Sequence, residues 1–291
     1  VERVTGDATR PETLAPLAAR GFDVVVDFVA FDAADAQRDV VAFRDRVGHY
    51  VLISSATVYR RPPPRYVVTE DAPLGNPYWD YARNKIAAER AVFAAHREHG
   101  FPATVVRPSY TYGESWVPTS SGTDYTAVHR MRRGLPVVVP GDGSSLIVLT
   151  HADDFARGLV GLLGQPAAIG EAFHVTSDEV LTWEQVHQTI ARVLDVEPRL
   201  VHVPSEFIAR VDPRRGASLL GDKAWSVVFD NARLRRVVPG FRARIPFEAG
   251  VRRSIAWLEG DPARQRLDAN DVVERILAAW RRALAAAFPS S

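Results

Sequence analysis

Residues 22–31 read FDVVVDFVAF. The run is apolar, rich in β-branched residues and of strand length, the pattern of a strand buried on both faces of a parallel sheet. The stretch before it, DATRPETLAPLAARG (7–21), reads as a short helix. Thr9 and Glu12 have the spacing of a capping box, Pro11 falls in the first turn, and Gly21 closes the end. After it come a helical segment, AADAQRDVVAFRDRV (33–47), and a second buried strand, HYVLISS (49–55). A proline-rich loop (60–77) then leads to a long helix from about Asp80 to His99 and a third strand, FPATVVRPS (101–109). Strand, helix, strand, helix, strand predicts an α/β fold with a doubly wound parallel sheet.

Beyond Pro108 the rhythm loosens. THADDFARGLVGLLG (150–164) is helical, EAFHVTS (171–177) is a strand, and LTWEQVHQTIARVLDV (181–196) opens with Thr182 and Gln185 as a capping box. The elements from there to about Gly260 are short, as in a smaller lobe over a sheet edge. Near the end, Val273, Ile276, Leu277, Trp280 and Leu284 form one helical stripe, read as a helix packed on its own domain. The expected division is 1–177 for the sheet domain, 178–262 for the smaller lobe and 263–291 for the C-terminal amphipathic helix.

Composition narrows the function. The chain has 291 residues, 46% of them hydrophobic, enough for a sizeable core. With 36 basic and 35 acidic residues, its net charge of +1 gives no electrostatic reason to expect nucleic acid or an anionic membrane as partner. Cysteine is absent, which excludes disulfides and thiolate metal sites, and no metal is expected. No apolar run approaches the roughly 18 residues of a membrane span and no signal peptide is visible, so a cytoplasmic protein is expected. The chain opens VERVTGDATRPETL and its only methionine is Met131. The expectation is therefore a fragment of a longer protein, with activity in the full-length form and not in this fragment.

The candidate chemistry lies in NPYWDYARNKIAAE (76–89). Tyr81 and Lys85 stand four apart, which stacks phenol and ammonium on one helix face. Alone, such a pair reads as a solvated helix face. Three further pieces accompany it. HYVLISS places Ser55 at the carboxyl end of a buried strand, where open α/β sheets bind ligands. The next strand ends VVRPSYTYG (105–113), and GDGSSLIVLTHADDFA (141–156) sets His151 and Asp154 at the start of a helix.

Together these resemble the extended short-chain dehydrogenase/reductases, the NAD-dependent epimerase/dehydratase family, over nearly the whole chain. The likeness is greatest to the atypical branch that includes the chloroplast stem-loop-binding proteins. The resemblance implies a Rossmann-type sheet, NAD or NADP as cofactor, and a sugar-like hydroxyl or carbonyl compound as substrate. It implies an acid/base role for Tyr81, with Ser55 holding the same substrate oxygen. Lys85 would lower the Tyr81 pKa and touch the nicotinamide ribose. Asp7, in TGDAT, matches the residue that meets the adenine. Phe28, Val29 and Ala30 match the segment beneath the cofactor, Pro108 and Ser109 its nicotinamide side, and Ser54 and Tyr81 are further expected cofactor contacts. Thr57 and Tyr110 would face substrate, and His151 would orient its turn. A homodimer is compatible with the family, as is a non-catalytic or RNA-associated protein of the same fold.

Three departures stand out. The glycine-rich turn that meets the pyrophosphate between a first strand and a first helix is absent, and matching Asp7 to the family places Val1 at its third strand. The expected sheet thus lacks its first β-α-β unit, and with it the residue that separates NAD from NADP. Ile147 stands where the sugar-nucleotide enzymes usually carry an Arg for the diphosphate, and Tyr110 where they usually have an Asn. The stretch from Ala30 to Ser55 is shorter than in the family.

Overall fold

A computed structural model describes residues 1–288. Four parallel strands build the central sheet: β1 (Phe22–Asp27), β2 (Val47–Ile53), β3 (Ala103–Arg107) and β4 (Ala172–His174), side by side in chain order. Val26 lies opposite Val51, Val51 opposite Thr104, and Val106 opposite Phe173.

Side chains along a strand alternate between the two faces, so a sheet covered twice needs apolar residues at every position. That is what β2 supplies. Tyr50 and Leu52 enter one core with α1 (Pro11–Ala18), α2 (Ala33–Phe43) and α3 (Asp80–His99), through Leu14, Val40, Phe43 and Val92. Val51 and Ile53 enter the opposite core with Phe155, Leu159 and Leu162 of the helix Ala152–Leu162. The sheet is doubly wound, as the sequence predicts. β1 forms one edge, and residues 1–5 carry no strand, there being no neighbour on that edge for them to pair with.

A literal Gly158-x-x-Gly161-x-x-Gly164 does occur, but its first two glycines sit within a helix. A Cβ on Gly158 would lie 2.5 Å from Val175 and 2.8 Å from Phe241, so that glycine serves close packing rather than phosphate binding.

The ends of α1 divide the expectations. Gly21, at φ +68°, closes the segment as expected. The capping box does not form: Arg10 is the N-cap without a side-chain bond, and Thr9 gives both its amide and its hydroxyl to Asp7. The carboxylate two residues away reaches both groups before Glu12 can. The second box is present, with Thr182 and Gln185 capping the helix Trp183–Leu194.

A third core surrounds Trp183, which is fully buried with Ile190, Phe247 and Val251. Residues 112–149 contribute Tyr112, Met131, Val139 and Leu149 to it. The C-terminal helix spans Asn270–Ala287 and buries Val273, Ile276 and Leu277, while Trp280 meets Phe207 with ring centroids 5.0 Å apart. Leu284 is exposed, so the expected stripe ends one turn earlier. Residues 289–291 of the expected C-terminal segment lie outside the described residues. No helix among those described is long and apolar enough to cross a membrane.

Candidate active site

Ser55, Tyr81 and Lys85 converge at the carboxyl ends of β1, β2 and β3. The backbone leaves β2 at Ser54 and turns at once into a single 3-10 turn, Ala56–Val58. Ser55 caps that turn: its Oγ accepts the Thr57 amide at 3.2 Å and the Thr57 hydroxyl at 3.0 Å. Tyr81 occupies the first turn of α3 and lines the same cavity as Ser55. Burial raises the Tyr81 pKa, the neighbouring Ser55 hydroxyl works against that, and the Asp222 carboxylate raises it further. Near neutral pH the phenol therefore keeps its proton.

Lys85 lies one turn on and is 2% exposed. Its Nζ donates to the carbonyls of Ala30 at 2.7 Å and Ile53 at 2.9 Å, and sits 4.8 Å from the centroid of the Phe31 ring. The ammonium thus joins the ends of β1 and β2. Burial lowers its pKa, opposed by the charges of Asp27, Glu89 and Asp35 in that order.

The other expected residues fall into four groups. Thr57, Pro108, Ser109 and Tyr110 line a cavity of about 340 Å³ in front of Tyr81, and Ser109 shares a 2.8 Å hydrogen bond with Thr150. Ser54 also borders this cavity, but its hydroxyl turns inward and donates to Glu89 at 2.5 Å. Phe28 and Val29 form an exposed apolar step after β1, while Ala30 is fully buried behind it. Asp27 shapes that step by accepting the amides of Val29 at 2.6 Å and Ala30 at 3.0 Å. Asp7 lies in an exposed turn, bonded to Thr9 and outside the cavity lining. His151 caps its helix, its Nδ1 accepting the Asp153 amide at 3.2 Å.

The far wall was not foreseen. Trp79, Trp116 and Phe229 give it aromatic faces, and a five-residue π-turn, Leu219–Lys223, brings Asp222 and Lys223 to the rim. Groups from outside hold that turn. Asn76 Nδ2 donates to the carbonyls of Gly221 at 2.7 Å and Thr57 at 3.0 Å, Trp183 Nε1 donates to Lys223 O at 2.9 Å, and buried Arg61 pairs with Asp222 at 3.5 Å. Gly221 is required by close approach, since a Cβ there would meet Trp79 at 2.8 Å. The Lys223 ammonium lies 5.2 Å from the Tyr110 ring centroid. Ile147 lines the same cavity with a branched alkyl side chain.

Beneath the site, Glu89 accepts two N–H groups of Arg107, at 3.0 and 2.7 Å, and Arg107 also donates to Tyr59 at 2.9 Å.

The nicotinamide end of a dinucleotide fits this geometry. Of the three N–H donors on Lys85, two are used by backbone carbonyls and one is left for a ribose hydroxyl beside the exposed Phe28–Val29 step.

The chain is similar to several known proteins. Residues 2–176 match the model of the NAD dependent epimerase/dehydratase family. The chain is 30% identical over 247 residues to 2'-dehydrokanamycin reductase of Streptomyces kanamyceticus, covering 84% of this chain and 69% of that one. It is 28% identical over 200 residues to the chloroplast stem-loop binding protein of 41 kDa b of Arabidopsis thaliana, covering 66% of this chain and 48% of that protein. In fold it is similar to a dTDP-glucose 4,6-dehydratase of Streptomyces venezuelae solved with NAD bound, with TM-score 0.70 and 22% identity, covering 89% of this chain and 79% of that one.

Proposed function

This chain belongs to the NAD-dependent epimerase/dehydratase family, and from that premise we propose that it acts as a nicotinamide-dependent reductase or epimerase on a sugar-like carbonyl or hydroxyl compound. The observation that carries the reading is that Ser55 and Tyr81 line one cavity, with Lys85 buried one helical turn beyond Tyr81 at the ends of β1 and β2.

Bound NAD or NADP supplies or takes the hydride at the reacting carbon. The chain does the rest. Ser55 and Tyr81 line the same cavity, so a carbonyl oxygen between them meets two hydroxyls at once. Burial keeps Tyr81 protonated, so it is ready to give its proton to that oxygen as negative charge develops. This favours the reductive direction. Lys85 sets the spacing between the ends of β1 and β2 and offers its third N–H to the ribose. The aromatic wall excludes water and suits the C–H faces of a ring.

The substrate is a small molecule without a tightly gripped nucleotide diphosphate, a view supported by Ile147 in the cavity wall. A cytoplasmic location and a homodimer belong to the same reading. An RNA-associated role is the second reading, supported by the likeness to the stem-loop binding protein and opposed by the balanced charge. Titration with NADH and with NADPH, followed by nicotinamide fluorescence, tests the first reading. Saturable enhancement supports it. No response to either cofactor, together with salt-sensitive retention on stem-loop RNA, would replace it by the second.

A further inference from the structure

Tyr50, in the middle of β2, is fully buried, and two carboxyl groups close on its hydroxyl. Its Oη lies 2.8 Å from Asp27 Oδ2 at the end of β1 and 3.0 Å from Asp39 Oδ2 on α2. Both acids are buried, Asp27 at 7% exposure and Asp39 at 4%. A phenol has one proton to give, so it cannot serve two carboxylates at once.

The surrounding charges do not neutralise two anions. From α2, Arg38 approaches Asp39 Oδ1 at 3.3 Å but also binds Asp35 at 2.7 Å. From α3 come the Lys85 ammonium and, one turn on, Glu89, the latter paired with Arg107. Two like charges buried at one point are relieved when a single proton is held between them.

We propose that Asp27 and Asp39 share one proton through Tyr50 and are thereby positioning residues for Lys85. The link is a chain of short contacts. The other oxygen of Asp27 accepts the amides of Val29 and Ala30, which fixes the turn after β1. The carbonyl of Ala30, so placed, accepts the Lys85 ammonium at 2.7 Å. The proposal rests on the reading of Lys85 as a site residue.

The directions of titration agree with this geometry. Burial, and after it the neighbouring Asp27, raise Asp39 to about 8. Asp27 is held below its usual value: burial acts to raise it, and hydrogen bonds from Asp39, Val29, Tyr50 and Ala30 outweigh that. Asp27 is therefore the ionised partner, and its charge is the foremost one opposing the loss of charge on Lys85. A folded-state pKa raised above the unfolded one gives stability that is complete below the unfolded value. It is lost as pH rises towards the folded value, here between about pH 4 and pH 8.

The test uses the whole chain without cofactor, so that its outcome is independent of the cofactor reading. Urea unfolding from pH 5 to pH 9 is compared between the wild type and Asp39→Asn, which keeps the shape and a donor. Relative to the variant, the wild type should lose up to about tenfold in its folding constant per pH unit up to about pH 8, and nothing further above it. In ¹⁵N- and lysine-¹³C-labelled wild type, the Val29 and Ala30 amides and the Lys85 Cε signal should titrate with that same midpoint. Those signals are read on the wild type, so the test stands even if Asp39→Asn fails to fold. Parallel stability profiles overturn the shared proton. A titrating stability with a flat Lys85 signal overturns the positioning role and leaves a structural acid pair.

Discussion

Glu89 and Arg107 bind through two hydrogen bonds, at 3.0 and 2.7 Å, with the carboxylate 1% and the guanidinium 5% exposed. Glu89 stands one turn beyond Lys85 on α3, and it also takes the Ser54 hydroxyl. One carboxylate thus ties the long helix, the exit of β2 and the end of β3 behind the site. Removing one partner leaves an uncompensated buried charge. Glu89→Ala should therefore destabilise the fold by about 3–5 kcal/mol in urea unfolding. The double variant Glu89→Leu, Arg107→Met should recover much of that loss; if it is no more stable than Glu89→Ala alone, the buried charge is not the cause.

Tyr81→Phe removes the proton donor and leaves the ring packed against Trp79, 4.9 Å between centroids. Turnover with NADPH and a keto sugar that the protein reduces should fall by about 10²–10⁴-fold, with cofactor affinity nearly unchanged. Lys85→Ala should weaken both, and lower stability too, since the carbonyls of Ala30 and Ile53 lose their donor. Undiminished turnover in Tyr81→Phe would remove Tyr81 from the chemistry.

Calorimetric titration with UDP, dTDP and GDP should show no binding tighter than about 1 mM. A diphosphate beside Ile147 lacks the charge-assisted hydrogen bonds that an Arg would give, each worth about 1.5–3 kcal/mol. Micromolar affinity for any of the three would return the protein to the sugar-nucleotide enzymes.

His174 gives an acid-side prediction. It is fully buried between Tyr59 and Phe229, and burial lowers its pKa to about 3. A lowered folded-state value means stability that is present above the unfolded pKa of about 6.5 and lost as pH falls towards 3. His174→Gln should flatten stability against pH between about pH 6 and pH 4 relative to the wild type. An unchanged slope would show that other groups set the acid limb.

The fold was legible because β2 and β3 are written in residues that only a doubly covered sheet tolerates, and because the spacing of Tyr81 and Lys85 is that of one helix face. Local competition was harder to read. Asp7 takes the groups of Thr9 that Glu12 would have used, a contest settled by distance rather than by residue type. The spacing to Tyr81 also said nothing of the partners of Lys85, whose carbonyls come from residues 30 and 53. The aromatic wall was hidden for the same reason. Trp79 and Lys223 are 144 positions apart, and no local pattern in either stretch announces that the second faces the first.

The π-turn Leu219–Lys223 has a bearing on redesign. Its backbone is held by Asn76, Trp183 and Trp225, all lying outside the turn, so its course does not depend on the side chain at position 223. Asp222 is less free, because buried Arg61 would be left without its counter-charge. Lys223 can be exchanged for a short polar, an aromatic or an acidic residue while the rail that carries it stays in place. Position 223 is thus where a library of substitutions can retune which ring the cavity accepts.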